Sequence, residues 1–302
     1  MNQETLNYNK RSSAFLVCPK CKQKLFENNK SYNCKHCLLS FAKNREFIDF
    51  YFKNRNDNPQ LNYSSVKIKS SKYSRYFSKF SRSYTSTLPE LWHQLLGNKF
   101  VCLDIGAALI EDGEIKAHMQ SFKRYCYLYF GIDPSKEELR RNIMNDDIIL
   151  LRGVGEYLPL ENNSFELVVV NHTLDHCFDY EMTLSEIYRV LKKDGIVSVF
   201  VNNDKSWIKR ILNKQAEKKR REAASNHNYY FNPTSLSKDL ETIGLKVIYI
   251  KGFRYLIFPE AILKTLSHVI GRGMMSLLKL GDYFGNRINY KLGGDFILIA
   301  RK

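Results

Sequence analysis

The chain has 302 residues, 44% hydrophobic and 26% charged, a balance that excludes a disordered protein and holds one large domain, or one domain with a small module. Its net charge of +16 is uneven: residues 1–98 carry 17 Lys/Arg against 6 Asp/Glu, residues 99–203 carry 11 against 17, and residues 204–302 carry 19 against 8. The N-terminus has no apolar core of signal length and no stretch reaches the ~18 apolar residues of a membrane span, which predicts a cytoplasmic protein with no transmembrane segment.

In chain order, the first feature is a doubled CxxC. Cys18 and Cys21 form one pair, Cys34 and Cys37 the other, twelve residues on. Each pair turns as a knuckle that aims two thiolates at one ion, so the four together predict a structural Zn2+ site in a module spanning 1–53. The module is too short for an adequate core, so metal binding supplies its folding energy. A closed four-cysteine site has no open position and is not expected to be catalytic. His36, inside the second knuckle, reads as exposed rather than as a ligand. The pattern CPxC, a polar hairpin with "KSYNC" and then "IDF" resembles two modules. One is the zinc ribbon that precedes the catalytic domain in RlmA-type bacterial rRNA guanine methyltransferases; the other is the Trm112-like ribbon found with methyltransferases.

Residues 54–92 form a basic linker or helical segment. Tyr73, Phe77, Phe80 and Tyr84 follow helical spacing among Lys72, Arg75, Lys79 and Arg82. Two readings stand: an amphipathic helix packed on the main domain, or a surface that stacks bases and binds phosphates.

From residue 93 to 302 short apolar runs alternate with helical periods. Strands are expected at 100–105, 127–132, 148–152, 167–171 and 196–202, and helices near 113–124, 135–145 and 180–193. This is the pattern of a doubly wound α/β sheet, which binds ligands beyond the carboxyl ends of its strands. The residues following each strand are therefore the ones to examine: Asp104 and Gly106, then Asp133, then the loop at 153–156, then "NHTLDH" from Asn171. An acid at the end of the second strand can bond both hydroxyls of a ribose.

These stretches, with "GEYLPLENNSFELVVVNHTLDH" and "EIYRVLKKDGIVSVFV", resemble the class I S-adenosylmethionine-dependent methyltransferases, in particular the type 11 methyltransferase domain. The resemblance extends over roughly 95–302, with "GGDFILIARK" as the seventh, antiparallel strand. It implies a Rossmann-like doubly wound seven-stranded sheet with S-adenosyl-L-methionine as cofactor. Carried over by position, Asp104, Gly106 and Ala108 fall in the first cofactor loop and Asp133 at the ribose. Val154, Gly155 and Glu156 fall beside adenine, and Asn171 lies under the methionine part. Two departures stand out. Ile110 replaces a glycine of the first motif and is poor wherever φ must be positive. Val154 stands where the family carries an acid, which loses a bond to the adenine amino group.

Methyl transfer to a hydroxyl or amine benefits from a general base. His172, Asp175 and His176 follow the fourth strand and are the candidates; Asp175 as a helix cap and His176 as a plain structural residue are the alternatives. His227 is a further candidate beside the acceptor, or a loop residue. Cys102, Cys126 and Cys177 read as ordinary thiols. The inserted stretches 204–224 and 256–280 read as lids with their apolar faces on the core, or as helices meeting lipid; Gly271 and Gly273 suggest a break. The resemblance implies methyl transfer to an unidentified acceptor: a small molecule, saccharide or lipid-linked substrate. Two alternatives remain, an rRNA or tRNA methyltransferase and a non-catalytic binding module with a degenerate loop. The basic flanks could face RNA or an anionic membrane surface, or only keep the chain soluble.

Overall fold

The computed structural model describes residues 13–44, 46–51, 87–107, 124–140, 147–206, 228–255 and 273–302. The expected helices at 73–84 and 113–124, the inserted stretch from 207 onward to 224, and residues 256–272 lie outside them.

Four short strands open the chain: β1 (Phe26–Glu27), β2 (Ser31–Cys34), β3 (Leu39–Lys43) and β4 (Ile48–Asp49). They run as an antiparallel meander. After helix α1 (Leu88–Leu96) come β5 (Phe100–Ile105), β6 (Cys126–Asp133), helix α2 (Lys136–Arg140), β7 (Ile148–Arg152) and β8 (Phe165–Asn171). Helix α3 (Tyr180–Val190), β9 (Leu191–Asn202), helix α4 (Pro233–Thr242), β10 (Lys246–Phe253), helix α5 (Gly273–Asn289) and β11 (Asp295–Arg301) follow.

The sheet order is β1-β2-β3-β4-β7-β6-β5-β8-β9-β11-β10. Strands β5 to β9 are parallel, and β11 runs antiparallel between β9 and β10. The expected seven-stranded sheet is therefore present, and the ribbon adds four strands to its edge. The join is β4, which pairs parallel with β7, Ile48 opposite Leu151 and Asp49 opposite Arg152. The carboxyl end of β4 thus sits on the same sheet edge as the ends of β5 to β8. Helix α1 crosses residue 92, where the main domain was expected to begin just beyond. Pro89 lies in its first turn, and Gly97 closes it at φ 75 by donating its N–H to His93 O at 2.7 Å.

The strands are apolar on both faces because helices or ribbon cover both. In β5, Val101, Leu103 and Ile105 face one layer with Leu184 and Ile187 of α3, Leu236 and Leu240 of α4, and the ribbon's Leu16, Tyr32, Phe41 and Phe50. Phe100 and Cys102 face the other layer with Leu88 and Trp92 of α1. Phe15, just before the first knuckle, sets its ring 5.1 Å from Phe130 and 5.8 Å from Phe165. The ribbon and the α/β domain share one core.

Of the stretch 256–280 expected to form a lid, only 273–280, the start of helix α5, lies among the described residues. The helix makes polar inward contacts: Asp282 accepts the Tyr255 N–H at 3.1 Å, and Asn286 pairs with both the N–H and the carbonyl of Gly252 at 2.9 and 2.7 Å. Leu280, Tyr283, Phe284 and Ile288 face outward among the described residues. The inward face meets backbone groups of β10 and the loop after it, and at Gly285 it lies close against the Tyr255 ring. Among the described residues no helix is long and apolar enough to cross a membrane.

Candidate active site and metal centre

At the carboxyl edge the chain turns after β5 through Gly106, at φ 85. The Gly106 N–H donates to Ile132 O at 2.9 Å, which ties this turn to the end of β6. A side chain has no room there: a Cβ on Gly106 would lie 2.8 Å from Thr173 Cγ2 and 2.9 Å from Thr173 Cβ, and closer still to the Thr173 hydroxyl. Glycine is required twice over, by the left-handed backbone and by the approach of Thr173.

Asp104, the last acid before this turn, accepts a hydrogen bond from the Tyr129 hydroxyl at 2.7 Å. Burial raises its carboxyl to about 6, and the tyrosine bond works in the opposite direction. Asp133 closes β6 and accepts the Ser135 N–H at 2.8 Å, an Asx turn that fixes its carboxylate at the sheet edge. The next strand ends at Arg152, and Val154 leads, in extended backbone, into the short 3-10 turn Gly155–Tyr157. Gly155 lets α3 approach: a Cβ would lie 2.8 Å from Thr183 Cγ2. The buried Glu156 turns its carboxylate to the Phe178 and Asp179 N–H groups, at 2.8 and 3.3 Å. What Glu156 offers the loop beside it is therefore backbone.

Asn171 ends β8, in the strand next to β5. Its Oδ1 is buried with no hydrogen-bond partner. A buried acceptor left open costs on the order of 1–3 kcal/mol, so the position asks for a donor. His172 follows at φ 48, a strained backbone for a non-glycine residue. Its ring sits edge-on to Phe200, centroids 4.6 Å apart, and burial lowers its pKa below the usual value for histidine. A neutral imidazole near pH 7 is a proton acceptor. Asp175 is buried and His176 half-buried in the 3-10 turn Leu174–His176. The cap of α3 is Asp179, which accepts the Met182 N–H at 2.9 Å, so the capping role considered for Asp175 belongs to its neighbour. The segment from Asn228 closes over this turn: Asn228 and Tyr229 donate backbone N–H groups to Asp175 O, and the Tyr229 hydroxyl donates to Phe178 O at 2.7 Å. Ala108, Ile110 and His227 lie outside the described residues.

One group on this edge was not expected from sequence. Arg254, just past β10 and at φ 56, pairs with the buried Asp295 that opens β11, and donates to Asn202 Oδ1 at 3.3 Å. Both charges act on His172, Asp295 favouring the imidazolium and Arg254 opposing it. The available signal was Asp295 itself, an acid opening an otherwise apolar strand.

The four ribbon cysteines converge. Cys18, Cys21, Cys34 and Cys37 hold their sulfurs within 4.8 Å of one another, and Cys21 Sγ and Cys34 Sγ are 3.5 Å apart. Zinc–sulfur bonds of ~2.3 Å in a tetrahedron require sulfur pairs ~3.8 Å apart, so the set fits such an ion. The Cys37 N–H donates to Cys34 Sγ at 3.3 Å, the turn of a metal knuckle. His36 is exposed and is not one of the four converging groups, although its Nδ1 lies 3.7 Å from Cys37 Sγ.

Residues 103–199 match a family model described as a methyltransferase domain. The Bacillus subtilis protein YrhH, provisionally named a methyltransferase, is 37% identical over 72 residues, 22% of this chain and 39% of that protein. The demethylmenaquinone methyltransferase of Lactobacillus johnsonii is 34% identical over 68 residues, 22% of this chain and 28% of that one. The matched segments thus span less than half the length of these curated relatives. A Galdieria sulphuraria structure, provisionally named a sarcosine dimethylglycine methyltransferase, superposes with a TM-score of 0.51 at 17% identity, over 76% of this chain and 87% of that one. The structure of MccD protein gives a TM-score of 0.51 at 16% identity, over 72% and 96%. With the strand order above, these establish the Rossmann-like fold of the class I methyltransferases.

Proposed function

We propose that the chain transfers a methyl group from S-adenosyl-L-methionine to a small-molecule, saccharide or lipid-linked acceptor, and that its ribbon holds one structural Zn2+. The observation that carries the cofactor reading is Asn171 Oδ1, buried and unpartnered beside the left-handed Gly106 turn. The ammonium of the cofactor's methionine part is a donor of the kind that atom lacks. Asp133 stands at the strand end where a ribose would be held, and the Val154–Glu156 backbone lies where adenine would rest. Bound there, the cofactor would supply an electrophilic methyl carried on a sulfonium. The protein's own part is orientation, exclusion of water and one proton. His172, kept neutral by burial, takes the acceptor's proton on an imidazole nitrogen as the acceptor atom gains the methyl. Asp175 and His176 line the same turn and would orient the acceptor.

Calorimetry of the full chain with the cofactor, followed by tritiated methyl transfer to extract separated into RNA, lipid and small molecules, tests this reading. Binding in the micromolar range and label in the small-molecule or lipid fraction are expected. Label confined to RNA would reassign the acceptor, and no heat at millimolar cofactor would overturn the enzyme reading.

A further inference from the structure

The segment Arg152–Glu161 runs from the end of β7, through the Val154–Glu156 backbone, to the start of the loop before β8. Its contacts with the ribbon lie at both ends. At the near end, Phe50 donates its N–H to Arg152 O at 2.9 Å, and Asp49 takes the Arg152 guanidinium at 3.2 and 3.3 Å. The Arg152 guanidinium also lies over the Tyr51 ring, 4.4 Å from its centroid, and Arg152 Nε donates to Pro134 O at 3.0 Å, one residue past Asp133. At the far end, Val17 donates to Pro159 O at 3.0 Å, Glu161 donates to Phe15 O at 2.8 Å, and Leu16 bridges Leu160. Lys22, the residue after Cys21, stands at φ 60 and sends its ammonium to Leu158 O at 3.1 Å and to Glu186 Oε2 at 2.6 Å. The same Glu186 oxygen accepts the Leu158 N–H at 2.8 Å.

Metal knuckle, lysine, buried glutamate and loop backbone therefore form one connected set. Lys22 is held at its left-handed backbone by the knuckle itself: its N–H donates to Cys18 O at 2.8 Å. The position of the ammonium is set by the fold of the four-cysteine cluster, not by the α/β domain alone. Asp49 does the same work from the other side: it holds the Arg152 guanidinium, whose Nε reaches the turn after Asp133, and it pairs with Lys136 at the start of α2 at 3.5 Å.

We propose that the metal-loaded ribbon is a built part of the cofactor site, with Lys22 and Asp49 as positioning residues that hold Arg152–Glu161 in the shape that receives the cofactor. This rests on the methyltransferase reading above. Metal binding and cofactor binding are then coupled through these two side chains and the loop backbone they hold, with no contact between the two ligands.

The test uses the full zinc-bearing chain and S-adenosyl-L-methionine. Lys22→Met is expected to keep about one zinc per chain and to bind the cofactor more weakly by ~tenfold or more, the scale of a lost charge-assisted hydrogen bond. Amide exchange should rise at Leu158 and Tyr157, and Lys22→Arg should restore both affinity and protection. Asp49→Asn should weaken the cofactor in the same way from the opposite end. Removing zinc with a chelator should weaken binding at least as much, and adding zinc back should restore it. If the parent chain binds the cofactor and all three perturbations leave its affinity and the loop's exchange unchanged, the ribbon is a separate module and the proposal is overturned. If the parent chain itself binds no cofactor at millimolar concentration, the methyltransferase reading fails, and this inference fails with it.

Discussion

Gly106→Ala isolates the geometry of the first cofactor turn. An L-residue at φ 85 costs roughly 1–2 kcal/mol. The new methyl also meets Thr173, with Cγ2 at 2.8 Å and Cβ at 2.9 Å. Thr173 must rotate, and its hydroxyl then loses the bond it donates to Asn171 O at 2.9 Å. That bond is worth about 1 kcal/mol net, so the total is ~2–3 kcal/mol, or ~4–12 °C in melting temperature for a domain of this size. Scanning calorimetry of Gly106→Ala, Thr173→Ala and the double variant checks both parts. Thr173→Ala alone should cost the hydroxyl bond, about 1 kcal/mol. The double variant should then be less destabilised than the sum of the singles by about the same amount, because the bond is lost only once. A Gly106→Ala chain within ~0.5 kcal/mol of the parent, or strict additivity with Thr173→Ala, would refute the claim that Thr173 fills the space over this glycine.

Three further outcomes are expected. Metal analysis of the purified chain should find about one zinc, and Cys34→Ser should release it with a loss of several kcal/mol, read by thermal unfolding; full retention of metal in that variant would sink the site. Asp104, with its carboxyl raised to about 6, keeps in the folded state a proton that the unfolded chain has released. Its contribution to stability therefore falls as pH rises from the ordinary carboxylate range to about 6. A cationic ligand beside it at pH 6 should expel that proton, so binding enthalpy should track the ionisation enthalpy of the buffer, and Asp104→Asn should abolish the dependence. Arg254→Met strands the buried Asp295 and should cost ~3 kcal/mol in chemical unfolding, whereas Arg254→Met with Asp295→Asn should recover much of it; equal stability of the two variants would count against the pair.

The strands of the α/β core were legible because they are buried on both faces and read as near-continuous apolar runs, "FVCLDI" and "FELVVVN" among them. The cysteine spacing located the four-cysteine cluster for a similar reason: ligand geometry imposes a short local pattern. What sequence did not reveal is non-local or backbone-mediated. Nothing in "IDF" indicates that Ile48 and Asp49 will pair with β7, about a hundred residues away. Glu156 falls beside adenine by position, but nothing local in the sequence shows that its carboxylate is taken by backbone N–H groups some two dozen residues downstream. Asp282 and Asn286 of α5 satisfy backbone groups of β10 and its following loop, a match that hydrophobic periodicity does not register. Arg254 and Asp295 come from opposite ends of an insertion, and only the antiparallel pairing of β10 with β11 brings them together.

The parallel pairing of β4 with β7 also sets an order of events at the ribosome. The ribbon is synthesised first, yet its edge strand must wait for Ile148–Arg152, and its Phe15–Val17 segment for Pro159–Glu161. At ~5–20 residues per second, about a hundred residues take ~5–20 seconds. Through that interval Leu16, Phe41 and Phe50 lack their partners in the α/β domain, and Phe41 and Phe50 have each other and Tyr32 to pack against. If the four cysteines gather a zinc ion early, as proposed, it would keep the young segment compact until the rest of the sheet arrives, and yield would then follow zinc supply during translation.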